Sequence, residues 1–232
     1  MKAVLSITLL YFLVSILAIY FIIRKKPSDG RRLLLKYGMY FLIVYASILI
    51  IYVHWFLYEL LFILLFGLYE IIYLKTKHPL QVSTFYFSLF IYVVVAILSI
   101  IFNVNASFPQ LLLLYMTVFV FDGFSQLFGQ LFGTRKMVPR ISPGKTLVGF
   151  IGGVGMALVS SKMASVNGFS YTLSQTLFIV AGAFLGDLLA SWYKRLIGVK
   201  DYNQIIPGHG GFLDRFDSLL GACVVGCVLI NI

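Results

Sequence analysis

Apolar runs of about 20 residues recur along the chain, parted by short polar breaks, and a run of that length spans a bilayer core of about 30 Å. They fall at residues 3–23, 35–53, 56–74, 82–102, 110–133, 146–164 and 171–197, and an eighth follows the polar stretch 198–211. Lipid offers backbone N–H and C=O groups no partner, so each run predicts a helix. The expected fold is an all-α integral membrane protein, a polytopic bundle of about eight transmembrane helices forming one membrane domain over 1–232. Within it, helices over 1–109 precede the helices and motif-bearing loops of 110–232. The second and third runs hinge near His54-Trp55. The first run is too long for the apolar part of a secretory signal and ends in LAIYFIIRKK, without a small-residue cleavage site; it reads as an uncleaved helix.

Composition supports this pattern: 61% of residues are hydrophobic and only 11% are charged. A net charge of +10 raises the question of nucleic acid. The distribution answers it. Breaks after the first, third, fifth and seventh runs hold 6, 2, 4 and 4 Lys or Arg, which leaves Lys2 and Lys162 alone on the other side. That alternation is the positive-inside pattern, with both ends outside, four basic loops in the cytoplasm and no nucleic-acid partner. Cys223 and Cys227 lie four apart on one helix face and read as packing residues.

Polar chemistry is concentrated in Gly186–Asp217, which holds Asp187, Asp201, Asp214 and Asp217, four of the eight acidic residues. Asp187, Ser191 and Lys194 stand at i, i+4 and i+7 of one helix, with Arg195 adjacent. Pro207 to Gly211 forms a glycine-rich turn that lets backbone approach a ligand. His209 within it reads better as a structural hydrogen-bonder than as a general base. Carboxylates ringed by Lys and Arg suit a hard cation shared with substrate phosphates. For Asp214 and Asp217 taken alone, capping of a helix start is an equally good account. In the fifth run Asp122, Gln126, Gly129 and Gly133 share a face, and a carboxylate that deep predicts a watery cavity or a cation beside it. Ser142 suits an N-cap and Pro143 a first helical position, so SPGKT predicts a helix start whose free N–H groups, with Lys145, favour anions, although an ordinary capped helix accounts for it equally well. It is not a P-loop: Pro139 stands where glycine is needed, and no strand is expected before it. The glycines from Gly149 to Gly155 predict close helix packing. Glu59 and Glu70, eleven apart, share a face of the third run; a membrane-embedded acid is a functional candidate by default, but packing or a helix-end position is the better account of both.

The stretch from Asp187 through SWYKRLIGVKD to PGHGGFLDRFDS closely resembles the signature of CDP-diacylglycerol synthases (phosphatidate cytidylyltransferases), and SPGKT with GFIGG resembles that family's upstream motif. The likeness covers residues 118–221; the first four runs resemble only generic membrane helices. It implies transfer of CMP from CTP to phosphatidic acid at a membrane surface, with pyrophosphate released, in phospholipid biosynthesis. Mg²⁺ is the implied cofactor, alone or with a monovalent cation such as K⁺. Asp187 and Asp214 would be metal ligands and Asp217 a further one, with Lys194 and Arg215 completing the catalytic set. Ser142, Lys145, Arg195 and Lys200 would also bind substrate phosphates. His209, Gly210 and Gly211 would form the nucleotide-side turn. Asp122 matches the aspartate that opens the family's earlier helix motif, and Gln126 shares its face. The implied partners are CTP, phosphatidic acid and the bilayer, with assembly as a homodimer allowed. The implied location is a membrane, the cell (inner) membrane if the source is bacterial, with the site facing the cytoplasm. Two departures bear on substrate identity: Gly123-Phe124-Ser125-Gln126 follows Asp122 where many members read TGAY, and Val148 replaces a glutamate.

The physics of the reaction agrees with the residue types. The attacking phosphate is already anionic, so positioning and charge neutralisation matter more than a strong base. Rival readings are a CTP-using membrane enzyme acting on another lipid phosphate or a polyprenol, a lipid or ion transporter, and a non-catalytic scaffold. A transporter often shows internal repeats with its site at the midplane; no repeat relates 1–110 to 111–232.

Overall fold

The computed structural model describes residues 2–25, 30–78, 81–166, 172–203, 205 and 210–230, the side chains of 2–5, 25, 31, 32, 166 and 230 excepted. Eight helices stand among them. They are α1 (Lys2–Lys25), α2 (Gly30–Tyr52), α3 (Phe56–Lys77), α4 (Val82–Asn105), α5 (Phe108–Phe132), α6 (Leu147–Val166), α7 (Leu173–Leu196) and α8 (Leu213–Ile230). The first seven are long and apolar enough to cross a membrane. The eighth carries Asp214, Arg215 and Asp217 in its first turns. The chain is thus a polytopic helical membrane protein.

Local sequence explains where helices stop. After α2, His54 takes a left-handed φ of 61°, the Trp55 N–H reaches the Ile50 carbonyl at 2.9 Å and the His54 N–H reaches Ile51 at 3.0 Å. This is a Schellman end with histidine in the usual glycine place, and it makes the expected hinge. At the end of α7 glycine does the same work: Gly198 has φ 77°, and Val199 N–H bonds the Lys194 carbonyl at 3.0 Å. Thr172 and Gln175 form a reciprocal capping box that starts α7.

α5 is the central helix. It is largely buried, whereas α4 is mostly exposed. It packs most extensively on α6, as α7 does on α8. Small residues let these pairs close in, as the α6 glycines predict. A Cβ on Gly149 would stand 2.5 Å from the Ser125 carbonyl of α5, and one on Gly186 would stand 2.5 Å from the Asp217 carbonyl of α8. Cys223 and Cys227 are buried in this packing.

The expected helix start at SPGKT is corrected. Ser142–Thr146 is a strand, β2, paired antiparallel with β1 (Lys136–Val138), so a strand does precede the motif. The helix begins four residues later than the Ser142 cap implies. Thr146 is the cap: its Oγ1 accepts the Gly149 N–H at 3.1 Å. Ser142 and Pro143 suit a helix start locally, but pairing with 136–138 satisfies the segment's backbone and takes precedence.

Candidate active site

The site assembles from five elements around one cavity of about 1230 Å³. α5 contributes Asp122 and Gln126, and the hairpin contributes Lys136, Ser142 and Lys145. α7 contributes Asp187, Ser191, Lys194 and Arg195. Lys200, Asp201 and Gly210 come from the following loop, and Asp214, Arg215, Asp217 and Ser218 from the start of α8. A second part of the lining, the apolar wall, is mostly aromatic and aliphatic, with Tyr11, Phe12 and Ile19 of α1, Tyr37 and Val44 of α2, and Phe119 of α5, and with Thr8, Ser15 and Lys36 among them. α2 is fixed there by Tyr40, whose hydroxyl donates to the Phe119 carbonyl of α5 at 2.6 Å, three residues before Asp122.

Two lysine–carboxylate pairs organise the polar wall. Lys145 Nζ lies 2.8 Å from Asp187 Oδ2 and 4.4 Å from the centre of the Phe184 ring, joining β2 to α7 across the cavity. This pair is partly exposed. The second pair, Lys194 with Asp214 Oδ1, is buried, with side-chain exposures of 7% and 2%. Asp214 Oδ2 also accepts the N–H groups of Gly211 at 2.8 Å and Tyr202 at 3.0 Å. The Tyr202 ring covers the Lys194 ammonium at 5.0 Å. Burial, then the negative charges of Asp217 and Asp214, push the Tyr202 phenol well above its ordinary range, so it stays a neutral cover.

Asp187 acts on both Asp122 and Asp217. Asp122 feels the charges of Asp187, Lys145 and Arg215 and the hydroxyl of Ser218, and Asp217 feels Asp187, Lys194, Asp214 and Arg215. Arg215 Nε is buried with no hydrogen-bond partner among the described residues. Arg195 is more committed: its guanidinium donates to the Ile141 carbonyl at 3.1 Å and to the Val199 carbonyl at 2.7 Å, pinning the hairpin to the end of α7.

Nearly all of the residues singled out from sequence therefore line one cavity. Gly211 is not among the lining residues; its N–H holds Asp214 instead. His209 lies outside the described residues. Among the described residues, no group of three or more His, Cys, Asp or Glu forms a metal cage. Several lining residues were not singled out. Lys36 and Lys136 are absorbed in the sequence by the topology rule that accounts for every loop cation, and Tyr40 and Ser218 carry no signal of their own.

The model of the Cytidylyltransferase family matches residues 1–232, including the four helices that carry no recognisable motif. The chain belongs to the cytidylyltransferase family. A phosphatidate cytidylyltransferase of Haemophilus influenzae is 37% identical over 161 residues, 63% of this chain and 56% of the relative. One of Staphylococcus aureus (strain COL) is 43% identical over 111 residues, 46% of this chain and 43% of the relative. The chain thus spans about half the length of the curated relatives it matches.

Proposed function

We propose that this cytidylyltransferase-family chain makes CDP-diacylglycerol from phosphatidic acid and CTP in phospholipid biosynthesis. The observation that carries the reading is the mixed lining of one cavity: carboxylates, lysines and arginines in part, and aromatic and aliphatic side chains, many of them from α1 and α2, in the rest. A lipid phosphate needs both walls, since its acyl chains favour the apolar one and its headgroup the charged one. The names of the relatives point to the same substrates. The positive-inside count favours a cytoplasmic site, where CTP is found, in the inner membrane of a bacterium.

In the reaction a phosphate oxygen of phosphatidic acid attacks the α-phosphorus of CTP. A new P–O bond forms as the bond from the α-phosphorus to the β-bridging oxygen breaks, and pyrophosphate departs with that electron pair. Lys145 and Arg215 stand where they can bind phosphate oxygens and neutralise charge that grows in the transition state. Lys194 holds Asp214, and Arg195 holds the hairpin that presents Lys145, so both position groups that meet substrate. Asp187 and Asp217, with Asp214 behind them, fit a Mg²⁺ bound by one or two carboxylates and completed by substrate phosphates, which is how this ion is usually held. When bound, it would polarise the phosphates and stabilise the leaving pyrophosphate.

The test is radiolabelled CTP with defined lipid acceptors in Mg²⁺ buffer. Transfer of CMP to phosphatidic acid with equimolar pyrophosphate is expected. Transfer only to a polyprenyl phosphate, or none in the presence of every lipid phosphate tried, refutes the reading.

A further inference from the structure

Glu70 belongs to α3, in the half of the chain whose helices carry no motif, and its exposure is 0%. Its two carboxylate oxygens each accept a backbone N–H from the start of α8. Oε1 takes Phe212 and Oε2 takes Leu213, both at 2.8 Å. The N–H groups at a helix start have no intrahelical partner, and the positive end of the helix favours an anion there. Packing reinforces the grip. A Cβ on Gly211 would stand 2.8 Å from Glu70 Oε1 and 2.9 Å from the Tyr202 Cβ, and one on Gly67, a turn earlier in α3, would stand 3.0 Å from the Leu213 side chain.

The clamped turn adjoins the chemistry. Asp214 follows Leu213 directly, and Arg215 and Asp217 come next along the same helix into the cavity. Glu70 does not line the cavity itself. We propose that Glu70 is a positioning residue for cytidylyl transfer: by holding the Phe212 and Leu213 amides it sets where Asp214, Arg215 and Asp217 stand. The proposal rests on the functional reading above. It gives α3 a part in the active site and explains a buried intramembrane acid whose partner is backbone.

Glu70→Gln keeps length and volume but leaves one acceptor oxygen and turns an NH₂ group toward a backbone N–H. Glu70→Asp keeps both acceptors and shortens the arm by one methylene. In purified full-length protein with phosphatidic acid micelles, Glu70→Gln is expected to lower kcat roughly 100-fold, the scale of an ångström misplacement at a reaction centre. KM for phosphatidic acid should stay within about twofold, since the apolar wall is untouched, and the Mg²⁺ concentration for half-maximal rate should rise roughly tenfold. Glu70→Asp should recover part of the lost kcat. Gly211→Ala disturbs the clamp from the other side, so combined with Glu70→Gln its effect should be less than multiplicative. A cap that only stabilises would reduce the yield of folded protein yet leave kcat per folded molecule and the Mg²⁺ dependence at wild-type values, and that result overturns the proposal.

Amide hydrogen exchange over 210–217 separates this proposal from the functional reading, because it needs no substrate. Exchange at whichever of Phe212 and Leu213 faces the introduced NH₂ should speed up by about 100-fold in Glu70→Gln, the loss of a buried charge-assisted bond at that amide. Wild-type exchange there means the carboxylate does not hold the turn, and the proposal falls whatever lipid the enzyme uses. Faster exchange in a protein that transfers no CMP to phosphatidic acid overturns the substrate reading and supports the clamp.

Discussion

Replacing Lys194 with methionine removes half of a buried ion pair while keeping the volume of the side chain. The ammonium and the Asp214 carboxylate have side-chain exposures of only 7% and 2%, so neither can turn to water when its partner is lost. Asp214 would keep two acceptor bonds, from Gly211 and Tyr202, but no countercharge on Oδ1. Breaking a buried pair from one side costs about 3–5 kcal/mol. At about 2–4 °C per kcal/mol for a chain of this size, the thermal midpoint should fall by roughly 6–20 °C. The buried thiols of Cys223 and Cys227 supply the assay, because a thiol-reactive fluorophore labels them only as the bundle opens. Unfolding in detergent is under kinetic control, so every variant is scanned at one rate. Lys194→Met with Asp214→Asn should cost less than the sum of the two single changes, since no unpaired charge then remains. A Lys194→Met midpoint within about 2 °C of wild type, or strict additivity in the cycle, would refute the buried pair.

Lys145→Met provides the opposite signature: its pair with Asp187 is partly exposed and worth about 1 kcal/mol, so the midpoint should barely move, while kcat/KM falls roughly 100-fold if Lys145 meets phosphate in the transition state. Steady-state kinetics beside a thermal scan will show both effects. Gly186→Ala places a methyl 2.5 Å from the Asp217 carbonyl and should cost about 1–3 kcal/mol through forced separation of α7 and α8, read as a lower midpoint with the thiol assay. Removal of divalent metal by EDTA should abolish CMP transfer and leave the midpoint within about 3 °C, because Lys145 and Lys194 still pair their carboxylates. Activity should return with Mg²⁺, and a K⁺ titration at fixed Mg²⁺ will show whether a monovalent ion contributes.

What the chain discloses in advance depends on whether the physical cause is local. Helices α1 to α7 are legible because lipid imposes one rule on every residue of a span, and the stop after α7 is written in Gly198. The polar wall is legible because Asp, Lys and Arg are rare in this chain and have few places to be. SPGKT misleads for the same local reason: Ser142 and Pro143 satisfy a helix start on their own, and only the pairing with Lys136–Val138 makes them strand. The apolar wall has no signature, since Tyr11, Phe12 and Val44 differ from lipid-facing neighbours only in which way α1 and α2 turn. Glu70 is the limiting case. Its partners are two backbone N–H groups 142 and 143 residues away, and a backbone amide has no letter in the sequence. Sequence could still narrow the choice. A carboxylate in a span must find donors, and α8 starts with N–H groups that lack partners. The motif in α8 marks the reacting groups, but where they stand depends on α3, so the catalytic unit includes the helices that the motif leaves out.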